Sequence, residues 1–279
     1  MKRTVIWYYS IIVLLGSWIL SYLYLFNGID FTLEVLGFSF DIIALMPGLV
    51  ALFFLKLIAK EKVLSNFLKF GRLSDWLIGI AYPLFVSAII IVVGYLFKFI
   101  RFGDAKNIET LIIGIIFDFP LIFLWSIPTL LLIELGWRVF LFSKIAQSTS
   151  NLKGIIISSL IWVLSYIFFI LSQNHKTIIA FENTTYLISI FTLGLFTCWL
   201  YLRSNSIWVL VFFQFNWILW NNFFFSDPIS QTNGIFIGKI WLVSMKGLMG
   251  AVLNLLFIPF YIFDVKRGRI RLHDKNINT

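Results

Sequence analysis

Long runs of apolar residues, separated by short polar segments, dominate the chain. A run of about 20 apolar residues is enough to cross a bilayer as an α-helix. The pattern therefore predicts an all-α polytopic membrane protein with about eight transmembrane helices, forming one domain over residues 1–279. The predicted spans are 5–26, 39–59, 76–98, 110–142, 154–172, 184–202, 206–225 and 239–263. Pro120 and Pro128 fall within the unusually long fourth run, and we expect them to kink or divide it.

The composition excludes a soluble fold. The chain is 60% hydrophobic and only 13% charged, whereas a soluble domain carries about 25% charged residues. The single cysteine, Cys198, cannot form an intrachain disulfide. The two histidines, His175 and His273, lie far apart in polar segments. The sequence therefore predicts no metal site and no cofactor.

Basic residues are distributed unequally between alternate loops. If the N-terminus is placed inside, the segments on that side carry fifteen Lys and Arg residues, and the opposite segments carry five. The positive-inside rule then predicts that both termini are cytoplasmic, in a plasma membrane. The basic tail, residues 264–279, is expected to contact anionic lipid. This topology accounts for most of the net charge of +9 without a nucleic-acid partner.

Two charged residues of the fourth run are candidates for function. Glu134 and Arg138 are four residues apart, so they lie on one helical face with the glutamate on the favourable, N-terminal side for an ion pair. Charged residues within a membrane are costly unless they are paired, and they often mark functional sites. A purely structural ion pair that joins this helix to its neighbours explains them equally well.

The residues around this pair resemble a known family. Residues 133–143, Ile-Glu-Leu-Gly-Trp-Arg-Val-Phe-Leu-Phe-Ser, resemble the first signature of the CAAX-protease and bacteriocin-processing (CPBP, or Abi) family, typically Glu-Glu-Leu-Gly-Trp-Arg-Gly-Phe-Leu-Leu-Pro. Residues 155–169 and 203–218 resemble the second and third signatures in the same order. The resemblance covers a CPBP-like core, residues 110–222, and implies an eight-helix intramembrane glutamic endopeptidase.

Several positions that carry catalytic groups in the family are replaced here. The resemblance implies that the first glutamate of the signature activates the attacking water, and this position is Ile133. The two histidine positions are occupied by Tyr166 and Gln214, and the asparagine position by Ile218. The second glutamate and the arginine of the first signature are retained.

These replacements weaken the case for proteolysis. Peptide hydrolysis needs a base to deprotonate water and donors to stabilise the oxyanion. Tyr166 and Gln214 can donate hydrogen bonds, but neither takes a proton from water near pH 7. The retained Glu134 could serve as the base, but an ion pair with Arg138 favours its charged form and makes it a weaker base. The sequence lacks the first glutamate and both histidines, so it leaves open whether the chain is an enzyme.

Three functions remain open. We favour a pseudoprotease, a CPBP homologue that binds a membrane protein or hydrophobic peptide in a regulatory or bacteriocin-immunity role. The second is a divergent active endopeptidase of the CAAX-processing type that depends on Glu134. A transporter or channel is disfavoured because the sequence has few intramembrane charges and no evident inverted repeat. Tyr166 and Gln214 could also be ordinary interhelical hydrogen-bond partners.

Three other polar residues lie near the candidate site in sequence or within a span. Asn221 is seven residues beyond Gln214, and we expect it close to the same helical face. Asp118 lies sixteen residues before Glu134, about 24 Å along a helix, which is too far to replace the missing glutamate. Lys246 is expected to extend its side chain towards the membrane interface.

Overall fold

The computed structural model describes residues 3–27, 32–35, 38–58, 69–103, 121–173, 180–225, 234–268 and 270. Eight apolar helices make up most of this part of the chain. They are α1 (Arg3–Asn27), α2 (Ile42–Phe53), α3 (Leu73–Leu96), α4 (Leu121–Ser148), α5 (Asn151–Gln173), α6 (Ala180–Ser204), α7 (Ile207–Phe224) and α8 (Leu248–Lys266). A π-helical turn, Phe54–Ile58, extends α2, and α8 is interrupted between Asn254 and Phe257.

Two small antiparallel sheets accompany the helices. One pairs β1 (Thr32–Val35) with β2 (Phe38–Asp41), and the other pairs β3 (Ile100–Phe102) with β4 (Phe236–Gly238). The sequence analysis did not predict them. Each has only two short strands, so the fold class is unchanged.

The helices confirm an all-α polytopic membrane protein. Six of them, all but α2 and α5, are long and apolar enough over their described residues to cross a membrane. In α2 and α5 the apolar stretches that could be assessed in this way are shorter, Ile42–Lys56 and Asn151–Ile167. Each of the eight predicted spans therefore corresponds to one helix, although three of the spans need correction. The second was predicted from residue 39, but its helix begins at Ile42, because residues 39–41 belong to β2.

The prediction for the last span was wrong at its beginning. It placed a helix from residue 239, but the helix begins at Leu248, and residues 239–247 form hydrogen-bonded turns after β4. In these turns the amide of Leu248 donates to the carbonyl of Trp241 at 3.0 Å. A Cβ atom added at Gly247 would lie 2.6 Å from that same carbonyl oxygen. A buried apolar turn has the same hydropathy as a helix, so the apolar pattern could not distinguish them.

The fourth span also differs from its prediction. Its helix continues six residues beyond the predicted end, from residue 142 to Ser148. Residues 110–120, including Asp118 and Pro120, lie outside the described part of the chain.

An ion-pair cluster joins α3, α6 and α8 at one end of the bundle. Arg203 donates from Nε to Asp75 Oδ1 at 2.8 Å and from Nη1 to Asp264 Oδ1 at 2.8 Å. Trp199 Nε1 also donates to Asp264, at 3.1 Å. Both aspartates are buried, and buried charges are tolerated only when they are paired in this way. This cluster was not predicted from the sequence. It joins three helix ends that the predicted topology places on one side of the membrane.

Helix α6 lies at the centre of the fold. It packs against α5, α7 and α8, and 67% of its most apolar window is buried, against 33–56% for the other candidate spans. Aromatic rings connect it to its neighbours: Phe196 stacks on Tyr82 of α3 at 4.1 Å and on Phe213 of α7 at 5.1 Å between ring centroids. This central position brings α6 close to α4, α5 and α7, which carry the three signatures.

Candidate functional site

The retained part of the first signature lies where α4 changes its helical geometry. Residues Leu135–Phe142, all buried, form a π-helix that begins directly after Glu134. A π-helix has i→i+5 hydrogen bonds, and such segments are frequent at functional sites. Gly136 permits close contact with α2, because a Cβ atom there would lie 2.5 Å from the carbonyl carbon of Pro47.

Glu134 and Arg138 form a fully buried ion pair. Arg138 Nε lies 3.4 Å from Glu134 Oε2, and the two side chains are 1% and 0% exposed. The guanidinium has two further neighbours. It donates from Nε to Thr197 Oγ1 at 3.0 Å and from Nη2 to the same oxygen, and its central carbon lies 4.1 Å from the ring centroid of Trp162. The charge of Arg138 is therefore stabilised by the Glu134 carboxylate of α4, the Thr197 hydroxyl of α6 and the Trp162 ring of α5.

Some buried polar atoms around this pair have no hydrogen-bond partner among the described residues. They are both carboxylate oxygens of Glu134, Arg138 Nη1, Trp162 Nε1 and Gln214 Nε2. The Gln214 amide lies beside the Glu134 carboxylate but makes no hydrogen bond of ordinary length and angle. Buried groups of this kind cost about 1–3 kcal/mol each when they stay unsatisfied.

A cavity of about 340 Å³ lies next to these residues. Helices α1, α2 and α4 to α7 contribute to its wall, together with the turn before α8. The four positions at which the sequence departs from the family's catalytic pattern all line this cavity: Ile133, Tyr166, Gln214 and Ile218. Three signatures that are far apart in sequence therefore meet at one place.

The two retained residues do not line the cavity. Ile133 faces it, whereas Glu134 and Arg138 lie behind the wall. Neighbouring residues of a helix point about 100° apart, and the direction of Glu134 takes its side chain away from the cavity that Ile133 lines. Trp162 stands between the two regions, because its ring lies over Arg138 and also lines the cavity.

The cavity wall is mainly apolar and aromatic, with a few polar groups. Among the described lining residues there is no carboxylate and no imidazole, and Lys246 is the one charged side chain. The remaining polar lining residues, besides Gln214 and Tyr166, are Ser17, Ser165, Tyr186, Ser189 and Asn222. Within the described chain, no group of three or more His, Cys, Asp and Glu residues is placed to hold a metal ion. His175 and His273 lie outside the described residues.

Helix α7 presents a different asparagine to the cavity from the one expected. Asn222 lines it and Asn221 does not. The cavity-facing side of α7 is centred on Ile218. Asn222 is four residues further on, about 40° around the helix from Ile218, whereas Asn221 lies about 60° away on the other side. The expectation for Asn221 was based on the direction of Gln214, which lies at the edge of this face.

The comparison with protein families gives one match. Residues 115–221 match the family model of the type II CAAX prenyl endopeptidases, described as Rce1-like. This segment belongs to the CAAX-protease family. No curated protein matches the chain. The match confirms the resemblance found in the sequence. It includes the Glu134–Arg138 pair and, except for Asn222, the described residues of α4 to α7 that line the cavity.

The sequence analysis did not identify Thr197, Lys246 or Asn222 as residues of this region. A threonine within an apolar helix carries no signal of its own, because its hydroxyl usually bonds to the preceding turn. Thr197 does so as well, donating to Leu193 O at 2.9 Å. Only the packing of α6 against α4 shows that the same hydroxyl accepts from Arg138.

We expect Thr197→Val to destabilise the protein by about 1–2 kcal/mol, because it leaves the buried Arg138 guanidinium without its hydroxyl partner. Thermal unfolding in detergent micelles, followed by helical circular dichroism, measures this effect. Thr192→Val on the same helix is the matched control, since Thr192 is buried and its hydroxyl donates to Ser189 O of its own helix, with no other partner among the described residues. In an Arg138→Met background the effect of Thr197→Val should largely disappear. Equal losses in both backgrounds would show that the hydroxyl does not act through Arg138.

Proposed function

We propose that this protein is a CAAX-protease homologue that binds a membrane ligand or hydrophobic peptide in its cavity without hydrolysing peptide bonds. The observation that carries the proposal is the cavity wall. At the positions where the family places its water-activating glutamate and its histidines, the wall carries Ile133, Tyr166 and Gln214.

The position of Glu134 supports this proposal. A general base must reach the water that it activates, directly or through one further water. The Glu134 carboxylate is fully buried behind the cavity wall and paired with Arg138. Loss of general-base catalysis alone lowers a rate by about 10²–10⁴, and two histidines are replaced as well.

The cavity itself favours binding. Its aromatic and aliphatic wall, with a few polar groups, is typical of sites that bind small molecules. Regulation of a membrane protein or immunity to a bacteriocin would each follow from binding of this kind.

One observation favours an active endopeptidase as a second candidate. The carboxylate oxygens of Glu134 accept no hydrogen bond from the described residues, and the Gln214 amide, which lines the cavity, lies beside them. A rearrangement of the Ile133 and Gln214 side chains would be needed to bring this carboxylate into contact with a substrate.

We expect the purified protein in lipid vesicles to leave prenylated and unmodified hydrophobic peptides uncleaved, because the described residues that line the cavity include no carboxylate and no imidazole. Mass spectrometry of the peptides after prolonged incubation measures this, with a CAAX protease that retains both glutamates and both histidines as the positive control. Cleavage that disappears in Glu134→Gln and persists in Lys153→Gln, a change on the exposed surface of α5, would contradict the proposal and establish the second candidate.

We further propose that the protein lies in a plasma membrane with both termini in the cytoplasm. The support for this orientation is the excess of basic residues in the segments of one side, which the positive-inside rule assigns to the cytoplasm.

Cysteine labelling tests this orientation. Cys198 is buried, so a membrane-impermeant maleimide should leave the unmodified protein unlabelled. Introduced cysteines at the exposed positions Lys98 and Lys153 should differ. We expect Lys98→Cys to react in intact cells and Lys153→Cys to react only after the cells are permeabilised. The reverse pattern would show that the N-terminus is outside.

A further inference from the structure

We propose that a basic hollow at the C-terminal end of α3 binds the phosphate group of an anionic phospholipid. The basic hollow has a volume of about 540 Å³ and is lined by residues 95, 98–101 and 237–238, where the turn after α3 meets the β3–β4 sheet. Its described lining residues are all different from those of the cavity. The inference is therefore independent of the proposed function.

Three basic side chains from two distant segments meet at the basic hollow. Lys98 and Arg101 line it. Lys239 lies beside it, with its ammonium group 5.6 Å from the ring centroid of Phe99, which is a lining residue. All three side chains are exposed. Within the described chain none of them forms an ion pair, and no described lining residue is acidic. The hollow therefore carries a local excess of positive charge.

The charge asymmetry of the chain does not account for this cluster. The predicted topology places five basic residues on the side opposite the termini, and three of the five meet here. Topology depends on how many cations lie on each side and not on whether they come together. Cations that lie close together repel one another, so their convergence indicates an anionic partner.

The backbone at Lys98 also favours a role for its side chain. Helix α3 ends in a Schellman motif, in which the amide of Phe99 donates to Gly94 O at 2.8 Å and the amide of Lys98 donates to Tyr95 O at 3.1 Å. Lys98 has a φ of 57°, the left-handed conformation in which glycine is the usual residue. The turn itself therefore favours glycine, whereas an anion in the hollow explains a lysine.

The surroundings of the hollow favour a lipid over a soluble anion. The candidate membrane span Leu73–Leu96 ends at the hollow, which places the hollow at the level of the lipid headgroups. The end of α3 exposes apolar and aromatic side chains, with Tyr95, Leu96 and Phe97 57–71% exposed. A phospholipid would place its phosphate at the cations and its acyl chains along this surface, whereas a soluble anion would contact the cations alone. Basic pockets at the membrane surface bind anionic headgroups in this way.

Photo-crosslinking of a lipid to the full-length protein tests the proposal. The protein is placed in phosphatidylcholine nanodiscs with a trace of phosphatidylglycerol that carries a photoreactive headgroup, and mass spectrometry maps the adducts. We expect adducts on residues 95–101, because these residues form most of the hollow. Unlabelled phosphatidylglycerol should compete for them, whereas inorganic phosphate should not.

Two substitutions test the cations that line the hollow. Lys98→Gly and Arg101→Gln should each lower the adduct yield about fivefold, and the double variant should lower it more than tenfold. Lys98→Gly should leave thermal stability unchanged or raised, because glycine suits the left-handed backbone, so unfolding would not explain its loss of lipid. Lys153→Gln is the matched control, since Lys153 is exposed on α5 and does not line the hollow; its yield should match that of the unmodified protein.

Four outcomes would overturn the proposal. The first is a spread of adducts over the lipid-facing surface without enrichment at residues 95–101. The second is an undiminished yield in the double variant. The third is competition by inorganic phosphate as strong as that by phosphatidylglycerol, which would assign the hollow to free anions. The fourth is stronger competition by a soluble polyaspartate peptide, which would assign it to an acidic protein partner.

Discussion

A guanidinium group in the apolar interior of a membrane protein needs several partners, and the arrangement around Arg138 follows from this constraint. Its neighbours are Glu134 one turn earlier, Thr197 from α6 and the ring of Trp162 from α5. These contacts fix three helices relative to one another. They also place the Trp162 ring between Arg138 and the cavity.

As a result, the retained and the replaced positions of the signatures lie in different parts of the protein. The retained half of the first signature, Glu134 and Arg138, is part of the packed interior, whereas the replaced positions line the cavity. Ile133 and Ile218 provide apolar wall, and Tyr166 and Gln214 provide hydroxyl and amide groups. Such a wall can bind an apolar or hydrogen-bonding ligand, but its described residues include no carboxylate and no imidazole to deprotonate water at neutral pH. The contrast supports a binding role and explains why family membership alone does not establish an enzyme.

The sequence was sufficient for the membrane class, for one helix at each apolar run and for the family of the central segment. Spacing within one helix was also informative, since Glu134 and Arg138 form the ion pair that their four-residue separation indicates. Predictions failed where the structure depends on contacts between distant segments. The turn from residue 239 to residue 247 was taken for helix because it is equally apolar.

Other features could not be read from sequence for the same reason. The hydroxyl of Thr197, the aspartates that pair with Arg203 and the choice of Asn222 over Asn221 all depend on which helix faces which. The π-helix after Glu134 has no hydropathy signature either. The orientation of the chain and the identity of its ligand remain proposals that rest on charge and on the chemistry of the cavity wall.

The most direct test of the central claim is an electron cryo-microscopy structure in a lipid nanodisc, at a resolution that shows side chains. The account predicts that Ile133, Tyr166 and Gln214 line one cavity and that the Glu134 carboxylate lies behind its wall, within ion-pair distance of Arg138. A Glu134 carboxylate that opens into the cavity and contacts an ordered water there would contradict it, because the site would then hold a base in reach of a nucleophile.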